Sequence, residues 1–240
     1  MELIKNKKNR FNLKGQKHLT IKIAAKGVNH IDYSNNDDTI RKEEKSLISK
    51  ITDIKENNII MLNQVHRDNI VVIDTPPNEN QLYIDNADGM ITNVPKLCLV
   101  IRTADCVPIF AFDDKKQIFG IAHSGWRGCS LSIGRKLIQG MKKYFGSKYK
   151  DINIIILPSI GPESYSVNND VATLFKNYIS IKNNQFYLNL WENIESSLKN
   201  EGIPIENIFQ TKICTLINKK EFFSHRGKDS GRNLNFGYIL

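Results

Sequence analysis

Two histidines and one cysteine stand where apolar runs of the sequence end. Cys106 closes a polar segment that follows residues 97–101, His123 follows residues 118–122, and His66 ends a third apolar run. Apolar runs bounded by turn residues are typical of buried strands, and functional residues concentrate in the loops at their ends. Two imidazoles and a thiol would hold a metal ion with one coordination position open. Each residue alone also fits a buried core position, and the spacing matches no signature such as HExxH.

Neighbouring strands are needed to bring these residues together, and the periodicity predicts them. Apolar or alternating runs predict strands at residues 19–24, 58–66, 69–74, 97–101, 118–122, 151–157, 208–214 and 222–225. Helical spacing predicts helices at residues 38–54, with Asp37 or Asp38 as N-cap, at 129–145 before Gly146, around 171–178, and around 191–198 before Gly202. The order predicts an α/β (α+β) fold, a single domain at residues 19–240 with mixed β-sheets covered by helices, after a basic N-terminal arm at residues 1–18.

The composition is that of an ordinary globular protein. With 240 residues, 40% of them hydrophobic and 25% charged, the chain can bury a substantial core. The net charge of +9 would suit an anionic partner, but the positive residues are scattered. No RNA-binding motif or zinc-finger spacing accompanies them. Nucleic acid is therefore not the expected partner.

No segment of the sequence predicts export or membrane insertion. The start carries positive charge without an apolar h-region, and no apolar run approaches the roughly 20 residues that span a bilayer. The cysteines form no CxxC pair, so free thiols in a reducing compartment are expected. They are Cys98, Cys106, Cys129 and Cys214. We expect a cytoplasmic protein without a membrane partner.

Six short motifs occur in an order that resembles a known family. They are NQVH (63–66), ADGMITN (87–93), TADC (103–106), HSGWRG (123–128), PSIGP (158–162) and FFSHR (222–226). From about residue 19 to the C-terminus the chain resembles the multicopper-oxidase-like laccase-domain family, also called the YfiH or polyphenol oxidase family. Members of that family are described as purine nucleoside phosphorylases. TADC together with HSGWRG is specific to it.

The resemblance implies a metal site and an activity. The implied zinc ligands are His66, Cys106 and His123, with copper as the alternative metal. The implied reaction is phosphorolysis of purine nucleosides such as adenosine, inosine and methylthioadenosine, with adenosine deamination in the same pocket. A purine nucleoside and phosphate are then the expected partners. The implied fold is a single α/β domain unrelated to blue-copper laccases.

Further side chains are candidates for substrate contacts or catalysis. Three arginines match family positions that could meet phosphate: Arg127, Arg226 and Arg232. Gln64 could hydrogen-bond a base or ribose, since strand alternation would place it on the face of His66. Asp105 is the carboxylate nearest in sequence to Cys106, which makes it the candidate proton carrier and catalytic acid–base group for deamination.

The sequence departs from the family pattern around this site. The departures are Arg67 and Leu157 in place of glycines, Ser166 in place of a glutamate, and Gly227 in place of an arginine. The N-terminal FSTRxGG-type segment of the family is not recognisable at residues 21–27. These changes surround the three ligands without replacing any of them. Metal binding is therefore expected to be retained, whereas substrate identity is less constrained.

Three other functions stay open from the sequence. A cysteine and two histidines can hold copper for phenol oxidation, although no axial methionine follows in a blue-copper arrangement. Cys106 as nucleophile and His123 as base would instead serve an amide hydrolase acting on a peptidoglycan precursor, a role attributed to some bacterial relatives. A non-enzymatic module that binds anionic polymers is motivated by the net charge alone.

Overall fold

The computed structural model describes residues 2–5, 10–14, 18–75 and 83–240. The predicted loop at residues 76–80 lies outside the described residues, as do residue 1 and residues 6–9 and 15–17 of the predicted N-terminal arm. Residues 2–5 and 10–14 form two strands that extend the sheet containing residues 19–24. The division of the chain at residue 18 stays a prediction.

Strands dominate the described chain, with helices between them. The strands are β1 Glu2–Lys5, β2 Arg10–Lys14, β3 Leu19–Ala24, β4 Ile59–Ile60, β5 Ile70–Ile73, β6 Gly89–Thr92, β7 Cys98–Thr103, β8 Val107–Asp113, β9 Ile118–Ser124, β10 Asn153–Ile156, β11 Ser166–Val167, β12 Ile179–Lys182, β13 Gln185–Leu188, β14 Ile208–Gln210 and β15 Asn233–Ile239. The helices are α1 Asp37–Thr52, α2 Trp126–Ser130, α3 Ile133–Phe145, α4 Asn169–Leu174 and α5 Leu190–Glu201. Among the described residues, no helix is both long and apolar enough to cross a membrane.

Two large sheets share an apolar core. Over the described residues, the first sheet has the order β1-β2-β3-β15-β7-β4 and the second the order β14-β10-β8-β9-β6-β5. Side chains alternate along each strand, so Leu99 of β7 enters the core between the sheets and Val100 enters the outer core under α1. In β9, Phe119 and Ile121 fill the inter-sheet core. His123 has the same parity and continues that face to the end of the strand.

Helices cover the outer faces of the two sheets. Ile48 and Ile51 of α1 pack on the first sheet, while Leu137 of α3 and Ile194 of α5 pack on the second. Strands β11, β13 and β12 form a small antiparallel sheet beside these layers. The result confirms the predicted α/β domain with mixed β-sheets covered by helices.

The predicted strand at residues 58–66 is wrong beyond its start. Strand β4 ends at Ile60. His66 has a φ of 58°, which places it in the left-handed region rather than in extended backbone. The alternation that was expected to put Gln64 on the face of His66 therefore does not apply.

The predicted helix at residues 129–145 is two helices. Helix α2 begins earlier, at Trp126, and Ser132 interrupts the path to α3 with a φ of 59°. The apolar stripe continues across this break, so periodicity could not reveal it. Helix α1 is capped by Asn36, one residue before the predicted cap, and Gly146 ends α3 as predicted.

The predicted strands near the C-terminus are partly wrong. Residues 222–225 form no strand, and the strand expected at residues 208–214 ends at Gln210. Strand β15, which pairs with both β3 and β7, was not predicted. Asparagines obscure it in the sequence. Asn235 is buried and satisfies its amide by donating to Thr103 Oγ1 at 2.9 Å.

Candidate metal centre

His66, Cys106 and His123 lie together at one end of the second sheet. Their donor atoms are all within 4.8 Å of one another, and the two imidazole rings meet edge to face with centroids 4.8 Å apart. His66 is exposed, Cys106 half-buried and His123 buried. Nitrogen and thiolate donors in one cluster suit zinc or copper.

Strand register brings this cluster together. Strands β8 and β9 pair antiparallel, and their register places Cys106, just before β8, opposite Gly125, just after β9. Strand β6 pairs with the other edge of β9 in a register that places Asp88 opposite His123. The N–H of His123 accordingly donates to the Asp88 carbonyl at 2.7 Å.

The carboxylate of Asp88 holds both histidines. Its Oδ1 lies 2.8 Å from Nδ1 of His123 and accepts the N–H of His66 at 3.0 Å. Its Oδ2 accepts the N–H groups of Val65 and Arg67 at 3.1 and 2.7 Å. These three bonds offset the cost of left-handed backbone at His66. The contact at Nδ1 leaves Nε2 of His123 as the atom that can bind a metal.

The cluster favours the charged forms of its members. Burial raises the pKa of the Cys106 thiol, but the adjacent His123 and His66 rings outweigh this effect and lower the pKa to about 6. Burial lowers the pKa of His123, but the Cys106 thiolate and the hydrogen bond to Asp88 raise it to about 9. Burial also opposes ionisation of Asp88, yet its hydrogen bonds keep its pKa below the ordinary value. The thiolate is the form of cysteine that binds metals.

Gly125 leaves the space that the sulfur occupies. A Cβ at this position would lie 2.9 Å from Sγ of Cys106 and 3.6 Å from Cδ2 of His66. The first distance is well below ordinary van der Waals contact. The donor types, their proximity and this clearance fit a metal ion, so His66, Cys106 and His123 form a possible metal site.

Two cavities meet at this site. The larger, of about 490 Å³, has mostly polar walls that include Tyr33, Asp37, Gln64, Arg102, Thr103, Ser230 and Arg232. The smaller, of about 300 Å³, is lined by Trp126, Arg127, Ile160, Tyr165, Leu190 and Arg226, among others. Four residues line both: His66, Ala104, Cys106 and His225. A ligand that extends from one cavity into the other passes the cluster.

The structure separates the three predicted arginines. Arg127 and Arg226 line the smaller cavity, whereas Arg232 lines the larger one. The guanidinium of Arg127 lies 4.3 Å from the ring centroid of Trp126, and that of Arg226 lies 5.1 Å from the centroid of Tyr165. The three arginines therefore do not surround one common position, and their substrate roles stay predictions.

Gln64 and Asp105 line the cavities but already serve the local fold. The Gln64 amide donates to the carbonyl of Arg102 at 2.9 Å and accepts its N–H at 2.8 Å. Asp105 Oδ1 accepts from the Thr215 hydroxyl, and its Oδ2 from the N–H of Arg226, both at 2.7 Å. The roles predicted for Gln64 toward substrate and for Asp105 in proton transfer stay predictions.

The departures from the family pattern have definite positions. Ser166 accepts hydrogen bonds from Arg226 at its Oγ and at its carbonyl, at 2.9 and 2.7 Å. Leu157 is buried in the inter-sheet core. Arg67 is exposed, and its N–H is bound by Asp88. The described departures therefore leave the ligand cluster intact.

Sequence reasoning did not single out Asp88 or Arg102. Asp88 stood in the ADGMITN motif as an apparent turn residue. The available signal in the sequence was an acidic residue directly before an apolar run. Arg102 stood in the polar segment before Cys106, where its guanidinium lines the larger cavity. The partners are distant in sequence, since His123 lies 35 residues from Asp88.

Comparison with known proteins decides the family. A family model described as "Multi-copper polyphenol oxidoreductase laccase" matches residues 20–239. The chain belongs to this laccase family. A relative from Bacteroides thetaiotaomicron named purine nucleoside phosphorylase is 32% identical over 211 residues, covering 81% of this chain and 78% of the relative. Another, adenosine deaminase RL5 from an unknown prokaryotic organism, is 26% identical over 225 residues, covering 87% and 86%. The names of these laccase-family relatives support an enzyme.

Solved structures similar to this laccase-family chain share its fold. YfiH from Bacillus licheniformis matches with a TM-score of 0.89 at 23% identity, covering 99% of both chains. YlmD from Geobacillus stearothermophilus matches with a TM-score of 0.90 at 21% identity, covering 99% of this chain and 98% of that one. The expected YfiH-like fold is confirmed.

Proposed function

We propose that the protein is a zinc-dependent purine nucleoside phosphorylase that also deaminates adenosine at the same site. Its proposed substrates are adenosine, inosine or methylthioadenosine together with phosphate. The observation that carries the proposal is the position of His66, Cys106 and His123 where two cavities of different chemistry meet. The names of the relatives from Bacteroides thetaiotaomicron and of RL5 support it.

The proposed zinc ligands are His66, Cys106 and His123. When bound in such a site, zinc supplies a Lewis acid with one open coordination position. Contacts of the protein prepare two of the ligands, and the proton that the raised pKa leaves on Nε2 of His123 would be released when the ion binds. Asp88 retains a proton on Nδ1 of His123, and the two imidazoles favour the Cys106 thiolate.

The smaller cavity suits the purine base. Trp126 and Tyr165 present aromatic rings to it, and stacking of a base on such a ring contributes about 1–3 kcal/mol. Arg127 and Arg226 lie over those rings and bring guanidinium donors to the same cavity. Such donors pair with the N7 and O6 acceptors of a purine. They would also stabilise the negative charge that develops on the departing base.

The larger cavity suits the ribose and the phosphate. Nη1 of Arg232 donates to the carbonyls of Ser230 and Gly231. Its Nε and Nη2 have no hydrogen-bond partner among the described residues. Those donors could meet phosphate oxygens. With the base in the smaller cavity, phosphate here would approach the anomeric carbon from the opposite side. The bond to be cleaved would then lie beside the cluster.

Asp105 is the proposed proton carrier for deamination. It lies on the wall of the smaller cavity, next to Cys106 in the chain. Its oxygens accept bonds from Thr215 and from the N–H of Arg226, but each carboxylate oxygen has a second lone pair that can take a proton. The same two bonds fix the direction in which the carboxylate points.

Two alternatives have specific observations in their favour. The lowered pKa of the Cys106 thiol would suit a cysteine-dependent amide hydrolase with His123 as the base. The description of the matching family model motivates a copper-dependent polyphenol oxidase. The first needs no metal, whereas the second needs copper and no phosphate.

A chromatographic assay of the zinc-loaded protein tests the proposal. Adenosine, inosine and methylthioadenosine are each incubated with and without phosphate. We expect release of free base that requires phosphate, and formation of inosine from adenosine without it. Amide hydrolysis that persists after metal removal would favour the hydrolase, and phenol oxidation by copper-loaded protein without base release would favour the oxidase.

A further inference from the structure

Asp37 and Arg102 form an ion pair on the wall of the larger cavity. Asp37 is the first residue of α1, and Arg102 lies near the end of β7. Nη1 of Arg102 is 3.4 Å from Oδ1 of Asp37. Both residues line the cavity that reaches the ligand cluster, and the proposed zinc chemistry assigns a task to neither.

Buried charges hold this pair from behind. Arg41 is fully buried, and its Nε donates to Oδ2 of Asp37 at 3.2 Å. Glu44 is also fully buried. Its Oε1 accepts from the Tyr33 hydroxyl at 2.9 Å, and its Oε2 lies 3.8 Å from Nη1 of Arg102. The pair is thus positioned by groups inside the protein.

The pair keeps hydrogen-bonding capacity toward the cavity. Its 3.4 Å separation exceeds the usual N–H···O range of about 2.7–3.2 Å. Among the described residues, no other hydrogen bond occupies the Arg102 guanidinium, and the Asp37 side chain is 53% exposed. The neighbouring Gln64 amide is instead used by the backbone of Arg102. A donor and an acceptor at this spacing suit one hydroxyl, which donates to Asp37 and accepts from Arg102.

The charges of the pair favour a neutral ligand group. The Asp37 carboxylate offsets the Arg102 guanidinium and would repel a phosphate oxygen placed between them. With the base in the smaller cavity, the ribose hydroxyls are the neutral polar groups of a nucleoside that remain for the larger cavity. Carboxylates that accept from a ribose 2′-hydroxyl are a recurring means of nucleotide recognition.

Resting on the proposed function, we propose that Asp37 and Arg102 bind the ribose 2′-hydroxyl and select ribonucleosides over 2′-deoxyribonucleosides. In a 2′-deoxynucleoside complex, both side chains would lose water without gaining the hydroxyl. Polar groups left unpaired in this way discriminate strongly against the analogue. Selectivity would then reside at the start of α1, outside the zinc ligands.

Phosphorolysis of inosine and 2′-deoxyinosine measures this selectivity, because neither nucleoside can be deaminated at an amino group. The readout is the ratio of their kcat/KM values for zinc-loaded protein at one phosphate concentration. We expect Asp37→Ala and Arg102→Met each to lower the inosine-to-deoxyinosine ratio by about tenfold or more. Asp38→Ala, at the adjacent exposed carboxylate of α1, is the matched control and should keep the ratio of the unmodified protein.

A second variant, Asp37→Asn, separates an effect on ribose selectivity from an effect on folding stability. Asp37→Ala removes the acceptor of the buried Arg41 Nε, whereas Asp37→Asn keeps an oxygen for it and removes the charge. We expect Asp37→Asn to unfold at nearly the temperature of the unmodified protein and still to lower the ratio. A variant that slows both nucleosides equally and leaves the ratio unchanged has only a structural effect, which would overturn the inference.

The outcomes separate the inference from the proposed function. If the unmodified protein cleaves no nucleoside with phosphate, the proposed function fails and the inference fails with it. If it cleaves both nucleosides and none of the substitutions changes the ratio, the phosphorylase stands and the assignment of Asp37 and Arg102 is wrong.

Discussion

Oδ1 of Asp88 lies 2.8 Å from Nδ1 of His123, and the same carboxylate binds the turn that carries His66. One buried side chain therefore sets the orientation of the His123 imidazole and fixes the backbone that carries His66. Partners of this kind fix the tautomer of a metal-binding histidine and raise its basicity. The site consequently depends on a residue that would not touch the ion.

Replacing Asp88 tests this dependence. Asp88→Asn should lower zinc affinity by about 10- to 100-fold, because an amide cannot accept from Nδ1 and from the whole turn together. Competition with a chromophoric chelator measures the affinity. Asp85→Asn is the control, since Asp85 accepts from the Asn63 amide at the surface. Equal affinities for the two variants would contradict the role given to Asp88.

Removing the thiolate tests the ligand assignment. Cys106→Ala should abolish both zinc retention and turnover while leaving the fold intact, because only two of the proposed ligands remain. Zinc content after dialysis and circular dichroism measure the two effects. Cys98→Ala removes a thiol from the core under α1 and should retain zinc. A Cys106→Ala protein with full activity would end the metal-site argument.

The clearance at Gly125 gives a steric test. In Gly125→Ala the added Cβ would lie 2.9 Å from the Cys106 sulfur, so the sulfur must shift. We expect kcat/KM to fall by about 10- to 100-fold, since catalytic groups tolerate little displacement. Gly134→Ala in α3 is the control, because the nearest atom to its Cβ would be the flexible tip of Ile109 at 3.2 Å, with Leu198 and Ile194 at ordinary contact distances. Comparable activity of both variants would show that the Cys106 sulfur can move away from the added Cβ without loss of function, which would contradict this prediction.

Because Arg232 and Arg226 line different cavities, we expect their substitutions to raise the KM values of different substrates. Arg232→Gln should raise KM for phosphate, because Arg232 lines the larger cavity. Arg226→Gln should raise KM for the nucleoside, because Arg226 lies with Tyr165 in the smaller cavity. We expect about tenfold in each case, the equivalent of one charge-assisted hydrogen bond. Steady-state kinetics with each substrate varied in turn measures the two KM values. If Arg232→Gln raised KM for the nucleoside and Arg226→Gln raised KM for phosphate, the assignment of substrates to the two cavities would have to be reversed.

The break between α2 and α3 predicts a gain in stability. Ser132 has a φ of 59°, a conformation that glycine adopts without strain. Ser132→Gly should therefore raise the free energy of unfolding by about 0.5–1 kcal/mol, because the relief of left-handed strain exceeds the entropy cost of ordering a glycine. Urea denaturation measures the change. Ser130→Gly places the same residue at the end of α2 and should not stabilise the protein.

Much of the fold was predictable because its strands are strongly apolar. The runs containing β7, β9 and β10 were short, apolar and bounded by turn residues, as is typical of buried strands, and Gly146 and Gly202 marked true helix ends. Strand β15 was missed because its buried asparagines give the segment the polar composition that is typical of a loop. Their amides are satisfied by partners such as Thr103, 132 residues away, which no local pattern reveals.

The candidate ligands were recognisable by residue type, but the reasoning that placed them was only partly right. His66 was expected at the end of a regular strand, and it stands instead in a left-handed turn bound by Asp88. Gln64 was expected to face substrate by alternation, and its amide instead pairs with the backbone of Arg102. Both differences come from hydrogen bonds to distant segments.

The sequence by itself determined the strongly apolar strands, the helix ends at Gly146 and Gly202 and the chemical types at the candidate site, because these depend on local patterns of side chains. The tertiary structure alone decided which residues share a cavity and which side chains hold the ligands in place. Strand register is the physical reason. It sets Cys106 opposite Gly125 and Asp88 opposite His123. The packing of α1 on the first sheet places the helix start at Asp37 beside Arg102.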